Sequence, residues 1–302
     1  MLTVINYHYL RENFDSVYPS IFGVTPNAFK SQLSLMKDKG EFLHPSDLEN
    51  NVDIILHSKN NYQLVTFDDG LKEQFDMGLS LLDDLKVPAI FFVNSVNFEN
   101  KKVSTVHKIH LLRSIIDPKI LLEKIHTDFV IEFSEEDKNK ARSTYRFDNS
   151  LNAELKYILN FKLSFLQQEL IIGKMFENYF EEAKVLEELY MSHQNLLELG
   201  QRKYLGSHSH NHYPLGLTDD KTIKFELENS KTYLQRISSS NINLISYPYG
   251  TDEAATYDVA KLAKDFGYTI GFTTKKGVNN GLENHLLLNR FDCNDLPGGN
   301  KK

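Results

Sequence analysis

Two clusters in this 302-residue chain carry side chains that could do chemistry together: Asp68-Asp69-Gly70 and His208-Ser209-His210-Asn211-His212. Adjacent carboxylates are costly to bury without a counter-charge, so they belong at the open end of an element beside a cation, usually a metal ion. His208 and His212 are four apart, so in a helical or turned segment both rings face one ion; in an extended segment His208, His210 and His212 would share a face instead. Two histidines with Asp69 leave room for water, the composition of a catalytic rather than a structural metal site. Taken alone, each cluster also has a plain reading, an acidic turn or helix cap and a histidine-rich surface turn.

The surrounding elements must bring these clusters to one end of a parallel sheet. Leu64-Val65-Thr66-Phe67 reads as a strand buried on both faces, and Gly70 frees the backbone to turn after the acids. Phe75, Leu79, Leu82 and Leu85 recur at helical spacing, and Ala89 to Val93 is a second buried strand, which makes a βαβ unit. Upstream, Leu2 to Tyr7 is a strand ending on His8, and Thr25-Pro26 starts a helix carrying Phe29, Leu33 and Met36. Ser46-Asp47-Leu48 reads as a short capped turn, and Asp53 to Leu56 fits strand or helix. After the histidines, Thr218 caps a helix over 219–237 whose inner side is marked by Phe225, Leu227, Ser230 and Leu234. Leu244 to Tyr247 is a strand running into Pro248-Tyr249-Gly250, Ala254 to Phe266 is a helix, and 268–273 and 286–291 are the last strands.

About seven strands alternating with helices predict an α/β fold, a distorted parallel (β/α)7 barrel with its chemistry at the C-terminal strand ends. The chain over 97–192 breaks the alternation with helical patterns at Val106 to Ile116, Leu121 to Ile125, Leu151 to Leu163 and Leu170 to Phe180. A βα connection needs far fewer residues, so this is a helical insertion, serving as lid, substrate wall, dimer surface or plain elaboration. His107 and His110 share a helical face within it. The expected domains are a barrel over 1–96 and 193–296, the insertion over 97–192, and a flexible tail at 297–302.

Composition sets bounds on function. A hydrophobic share of 41% and a charged share of 25% are those of a globular protein, and a net charge of -7 excludes a polyanion-binding surface, hence a nucleic-acid partner. The single cysteine, Cys293, excludes an internal disulfide and a cysteine-rich zinc site. Met1 to His8 lacks the marks of a signal peptide and no apolar run reaches membrane-spanning length, so a cytoplasmic protein without a transmembrane segment is expected.

Thr66-Phe67-Asp68-Asp69-Gly70 resembles the first motif of the polysaccharide deacetylases, carbohydrate esterase family 4, and His208 to His212 resembles their second, His-Ser/Thr-x-x-His. Ser246-Tyr247-Pro248-Tyr249-Gly250 is similar to a variant of the third. Asn6-Tyr7-His8, Gly206-Ser207, Glu226 and Ser230-Lys231 agree with the flanks, and the resemblance covers 1–96 and 190–292. It implies the distorted barrel, Asp69, His208 and His212 as ligands of one divalent metal ion, and Asp68 as general base. Zinc suits this mixed nitrogen and oxygen set first, with nickel or cobalt next. The turn at Pro248 to Gly250 would offer the Tyr249 backbone N–H to a developing oxyanion. His8, Tyr247, Pro248 and Arg290 are the candidates for binding or orienting substrate.

Two departures stand out. Ser246 occupies the place of an Arg that orients the catalytic Asp in the family, and Arg290 is either its substitute or a surface residue. The family's late Leu-x-His motif, which supplies the general acid, lacks a clear counterpart because His285 precedes its leucines. The implied activity is metal-dependent removal of an N-acetyl, or N-formyl, group from an amino sugar in a polysaccharide, glycolipid or nucleotide-sugar intermediate. A catalytically weak carbohydrate-binding or scaffold protein on the same fold, or a hydrolase of a small non-sugar amide, remain as alternatives.

Overall fold

Strands apolar on both faces can only sit inside a sheet that is covered twice, and that requirement organises this chain. The structure, a computed structural model, describes residues 1–146 and 148–299, and the end of the expected tail, 300–302, lies outside the described residues. There are two compact units. One comprises Met1–Phe14, Phe22–Lys102 and the chain from Ala183 on; the other comprises Asp15–Ile21 and Val103–Glu182.

In the first unit the strands are β1 (Leu2–Tyr7), β2 (Tyr9–Leu10), β3 (Gly23–Val24), β4 (Glu41–Phe42), β5 (Tyr62–Phe67), β6 (Ala89–Val93), β7 (Leu205–Ser207), β8 (Leu244–Ser246), β9 (Ile270–Phe272) and β10 (Phe291–Asp292). The main sheet runs β10-β1-β5-β6-β7-β8-β9 with every pair parallel, and β4 pairs with Tyr62 and Gln63, below the point where β6 joins β5. β2 and β3 form a separate parallel pair.

Leu2 and Val4 of β1 share one buried cluster with Leu64, Ile90, Phe92, Leu244, Ile270, Phe272 and Leu288. Residues from the two ends of the sheet order can meet only if the sheet curls on itself, and a bridge from Phe272 to Leu288 draws the edges together. This is the curled parallel barrel that the strand count predicts. Leu48, Ile55 and Leu56 of the helix Pro45–Leu56 fill the same cluster beside the early residues of the strands, so the C-terminal strand ends stay open.

Several local expectations change. Ser46-Asp47-Leu48 and Asp53 to Leu56 belong to one helix, which kinks at Asn51 (φ -135°), so its apolar stripe breaks where the sequence reading broke. The helix after Gly70 is a π-helical turn, Gln74–Leu79, continued by the α-helix Ser80–Leu85. Asp219, not Thr218, caps the helix Asp220–Ser238, accepting from the Thr222 N–H at 2.7 Å. Its buried side is Ile223, Glu226, Leu227, Ser230, Tyr233 and Leu234, whereas Phe225 is exposed. The expected strand 286–291 is interrupted: Leu288 bridges to β9, and only Phe291–Asp292 pair with β1.

The second unit is helical, with Thr105–Ile115, Pro118–Asp128, Glu135–Thr144, Ser150–Tyr157 and Phe165–Glu177 packed around Leu112, Ile125, Leu155, Ile158, Ile172 and Phe176. The Glu182 carboxylate accepts from the Val103 N–H at 2.8 Å and pairs with Lys108 at 2.8 Å. Among the described residues, no helix is long and apolar enough to cross a membrane.

Phe67 points away from the barrel interior, where its ring lies 4.9 Å from Phe91, 5.4 Å from Tyr7 and 5.6 Å from Phe29. Phe67→Ala should cost about 3–5 kcal/mol of stability in urea unfolding, the scale for a buried aromatic. A loss near zero would show that this aromatic layer does not hold the sheet to its outer helix.

Candidate metal centre and active site

The alternation of β5 sends Leu64, Thr66 and Asp68 towards the barrel interior, and the Asp68 N–H donates to Tyr7 O at 3.0 Å, continuing the ladder. Asp69 and Gly70 follow at φ 80° and 67°, so the chain turns sharply and the two acids diverge. A Cβ at Gly70 would lie 2.7 Å from Val93 Cγ1, so the turn requires glycine on both counts.

Asp68 is buried and held on every side. Arg290 Nη1 and Nη2 donate to its two oxygens at 3.0 and 2.8 Å, and Asn6 Nδ2 donates at 2.9 Å. Arg290 is itself fixed through Nε to Thr273 O at 2.9 Å and through Nη2 to Ser246 Oγ at 2.9 Å. Burial by itself pushes the Asp68 carboxyl up, but the charges of Arg290, His208 and His8 together outweigh it and hold it well below the usual carboxylate range. The residue at the position of the missing family Arg, Ser246, thus contacts the Arg that does reach Asp68. His8, at the end of β1, lies with Nε2 3.9 Å from Asp68 Oδ2 and keeps 38% of its side chain exposed.

The histidine loop leaves β7 with the His208 N–H on Val93 O at 2.9 Å. His208 Nδ1 meets the Ser246 carbonyl at 2.7 Å; a carbonyl only accepts, so Nδ1 carries the proton and Nε2 presents its lone pair. That Nε2 lies 3.5 Å from Asp69 Oδ1, and His212 Nε2 lies 3.4 Å from the same oxygen. Burial lowers the His208 pKa to about 4, which keeps the ring in its neutral, ligating form.

Ligands held about 2.0–2.1 Å from a tetrahedral ion stand roughly 3.3 Å apart, so these separations fit a single divalent metal. One ligand atom each from Asp69, His208 and His212 lies within 4.8 Å of the others, and among the described residues no other such group of three occurs. The segment is turned rather than helical or extended, with Ser209 and His212 at φ 59° and 64°. His210 therefore points away, its Nδ1 2.6 Å from Ser95 Oγ and its ring against Phe225.

Three buried polar residues support this layout without having been assigned a role by sequence. Glu226 accepts from the N–H groups of His210 and Asn211 at 2.9 and 2.7 Å and from Asn211 Nδ2 at 2.6 Å, which fixes the loop between the two ligands. Its signal was a carboxylate on the apolar stripe between Ile223 and Leu227. Gln74 donates through Nε2 to His8 O at 2.9 Å and Asp68 O at 2.6 Å, and its Oε1 accepts from the Leu71 N–H at 3.2 Å. Asn94 donates to the His208 carbonyl.

The remaining candidates sort by position. Tyr249 sits at φ 62°, with its ring 5.2 Å from His212 and partly exposed. Pro248 is buried beneath it. Tyr247 corrects the expectation of substrate contact: it is fully buried and packs on Gly271, so it has no surface to offer a ligand. His285 pairs with Asp53 of the helix that fills the early end of the barrel, away from the strand ends that carry the acids. His107 and His110 lie in the second unit, and Cys293 is buried.

Residues 172–271 match the family model described as polysaccharide deacetylase. That stretch is about a third of the chain, and over it the sequence is similar to the polysaccharide deacetylases. The match spans the histidine loop and the turn at Tyr249 but not Asp68 and Asp69, which the geometry joins to them. The fold is similar to that of Streptococcus pyogenes deacetylase PplD, solved in complex with acetate, at TM-score 0.55 and 18% identity, covering 96% of this chain and 91% of that one. IcaB from Ammonifex degensii matches at TM-score 0.54 and 16% identity, covering 96% and 90%. The BpsB deacetylase domain from Bordetella bronchiseptica also matches at 0.54 and 16%, covering 96% and 95%. No curated protein sequence matches the chain.

The Asp68–Arg290 pair makes the protein's stability depend on pH in a defined direction. With its folded pKa depressed, Asp68 contributes stability at neutral pH that is lost as pH falls through the carboxylate range towards the folded value. Arg290→Met leaves the burial penalty without its main opponent, so the carboxyl shifts up and its contribution reverses, favouring folding at low pH and opposing it as pH rises. The variant should lose about 3–5 kcal/mol at pH 7 and recover part of it near pH 5 in thermal melts. A melting profile that keeps the wild-type dependence on pH would refute this account of the pair.

Proposed function

We propose that this protein is a metal-dependent deacetylase that removes an N-acetyl group from an amino sugar of a glycan substrate. One observation carries the reading: Asp69, His208 and His212 converge to fit one divalent ion beside a second carboxylate, Asp68, which Arg290 and Asn6 hold in a separate set of bonds. The donor set of two imidazoles and one carboxylate suits zinc first, with nickel or cobalt as substitutes. When bound, the ion supplies Lewis acidity to the amide carbonyl and lowers the pKa of water.

The chain's own groups do the rest. Asp68 is ionised and oriented by Arg290, so it takes the proton of the attacking water as the water oxygen bonds to the carbonyl carbon. A carboxylate with so low a pKa is a weak base, which suits a water that is already acidified. The Tyr249 N–H donates to the oxygen on which charge develops, a contribution of about 3 kcal/mol for one preorganised donor. The tetrahedral carbon then collapses and the C–N bond breaks. An amine is a poor leaving group unless protonated, and His8, beside Asp68 and open to solvent, delivers that proton from its ring. The products are acetate and a free amino sugar.

His8 thus fills the role left by the missing late histidine, and Arg290 fills that of the missing Arg. The reading as a weak binding protein drew on those two gaps. An ionised base held beside a metal triad serves hydrolysis and has no use in a binder.

The test separates ligand from base. Purified protein loaded with zinc should release acetate from N-acetylglucosamine oligomers, and a chelator should stop it. Asp69→Asn should bind metal weakly and regain part of its activity in excess metal. Asp68→Asn should keep its metal and remain about 100-fold slower or more at any metal concentration. Normal metal content and normal turnover in both variants would overturn the mechanism.

A further inference from the structure

Gln74 is fully buried, and each of its side-chain polar atoms is spent on backbone. Its two N–H bonds go to the carbonyls of His8 and Asp68, at 2.9 and 2.6 Å, and its carbonyl takes the Leu71 N–H at 3.2 Å. The orientation of this amide is fixed by chemistry: two carbonyls require the NH2 group and one N–H requires the oxygen. His8 and Asp68 stand at the C-terminal ends of neighbouring strands, just beyond the last paired residues Tyr7 and Phe67. The last ladder bond, from the Asp68 N–H to Tyr7 O at 3.0 Å, holds Asp68 but does not reach His8, and the Gln74 amide ties the two carbonyls together beyond it.

The local backbone is shaped for this purpose. Gln74 opens the π-helical turn Gln74–Leu79, a widened form that occurs mostly as single turns at functional positions. The preceding residue reinforces the same segment from the other side, since Glu73 accepts from the Leu10 N–H at 2.8 Å and from Arg11 Nε at 2.6 Å. Glu73 and Gln74 together fasten the chain from His8 to Arg11 onto the turn that follows the two acids.

We infer that Gln74 is a positioning residue for proton delivery: it sets the separation of His8 from Asp68, and so places the imidazole where the departing amine forms. The inference rests on the reading of His8 as general acid. Loss of the amide should release the His8 backbone while leaving the side chains of Asp69, His208 and His212 in place, because its hydrogen bonds go to His8 O, Asp68 O and the Leu71 N–H. A misplacement of about 1 Å is enough to lower turnover by about 10- to 100-fold.

The experiment compares Gln74→Met, which keeps length and removes the hydrogen bonds, with the milder Gln74→Asn, which keeps the amide but is too short to reach both carbonyls. Leu79→Ala, a buried apolar change in the same turn, serves as the control for lost stability. Each is assayed for zinc content, and for kcat and KM on N-acetylglucosamine oligomers and on 4-nitrophenyl acetate, whose phenolate leaves without a proton. Both Gln74 variants should lose kcat on the amide about 10-fold or more with KM and zinc content unchanged, while turnover of the aryl ester stays within about twofold. His8→Ala should show the same split. In the double variant, Gln74→Met should cost nothing further, because a residue acting through His8 has no effect once the ring is gone. Equal losses on both substrates, losses no larger than those of Leu79→Ala, or an additive loss in the double variant would overturn the role of Gln74. A His8→Ala enzyme without the split would overturn the reading of His8 as acid, and the inference about Gln74 with it.

Discussion

The site depends on one buried ion pair, Asp68 with Arg290. Two charges taken out of water cost several kcal/mol each, and their attraction offsets this only when the remaining donors and acceptors are also satisfied. Here they are: the guanidinium reaches Thr273 O and Ser246 Oγ in addition to both carboxylate oxygens, and Asn6 completes the carboxylate. Those partners come from four different strand ends or their continuations, so the pair can form only when the sheet has curled. Fold closure and the ionised state of the base are therefore one condition rather than two.

The candidate metal site places a different demand on the backbone. Asp69, Ser209, His212 and Tyr249 all have positive φ, a conformation that costs a non-glycine residue on the order of 1–3 kcal/mol and persists only where surroundings over-determine it. Two of these are the expected metal ligands and a third is the expected oxyanion donor. The compensating contacts are visible: Glu226 grips the histidine loop by two N–H groups, and Thr274 grips the Tyr249 turn through its hydroxyl on Tyr249 O. Strain lies where ligands must converge, and ordinary hydrogen bonding beside it keeps it in place.

Much of this was legible in the residues, and the limits have physical causes. Thr25-Pro26, the doubly apolar strands and the two motif clusters are local signals, and the Thr25 side chain does cap its helix, accepting from the Ala28 N–H at 3.2 Å. The spacing of His208 and His212 points to a shared ion in a helical or turned segment, and of these two the structure has the turn, with two left-handed residues. The open choice for Arg290 between a surface residue and a counter-charge needed the curl of the sheet, which no window of sequence encodes. The helix Pro45–Leu56 was read as fragments because a kink shifts its stripe at Asn51, and the π turn at Gln74 escaped because a single widened turn leaves almost no periodic trace. Gln74 looks like a surface residue by type, and only its place on an otherwise buried face marks it; Glu226 agrees with a flank of the family motifs, but its grip on the histidine loop is visible only in the fold.

One carboxylate in the second unit bears on how the whole chain reaches its folded state. β6 and β7 are parallel neighbours in the sheet, yet the larger segment of the helical unit, Val103–Glu182, separates them in sequence. Joining strands across a long flexible connection costs closure entropy, and pairing of this kind forms slowly. Glu182, holding the Val103 N–H and Lys108, brings the two ends of the helical unit together from within that unit. Once that contact has formed, the effective connection between β6 and β7 shortens to 94–102 and 183–204, the second of which carries the helices Glu182–Leu189 and His193–Gln201. The second half of the sheet can then add to the first across a shorter connection than the sequence separation implies, and Asp69 and His208 lie just beyond β5 and β7, the two strands that flank β6.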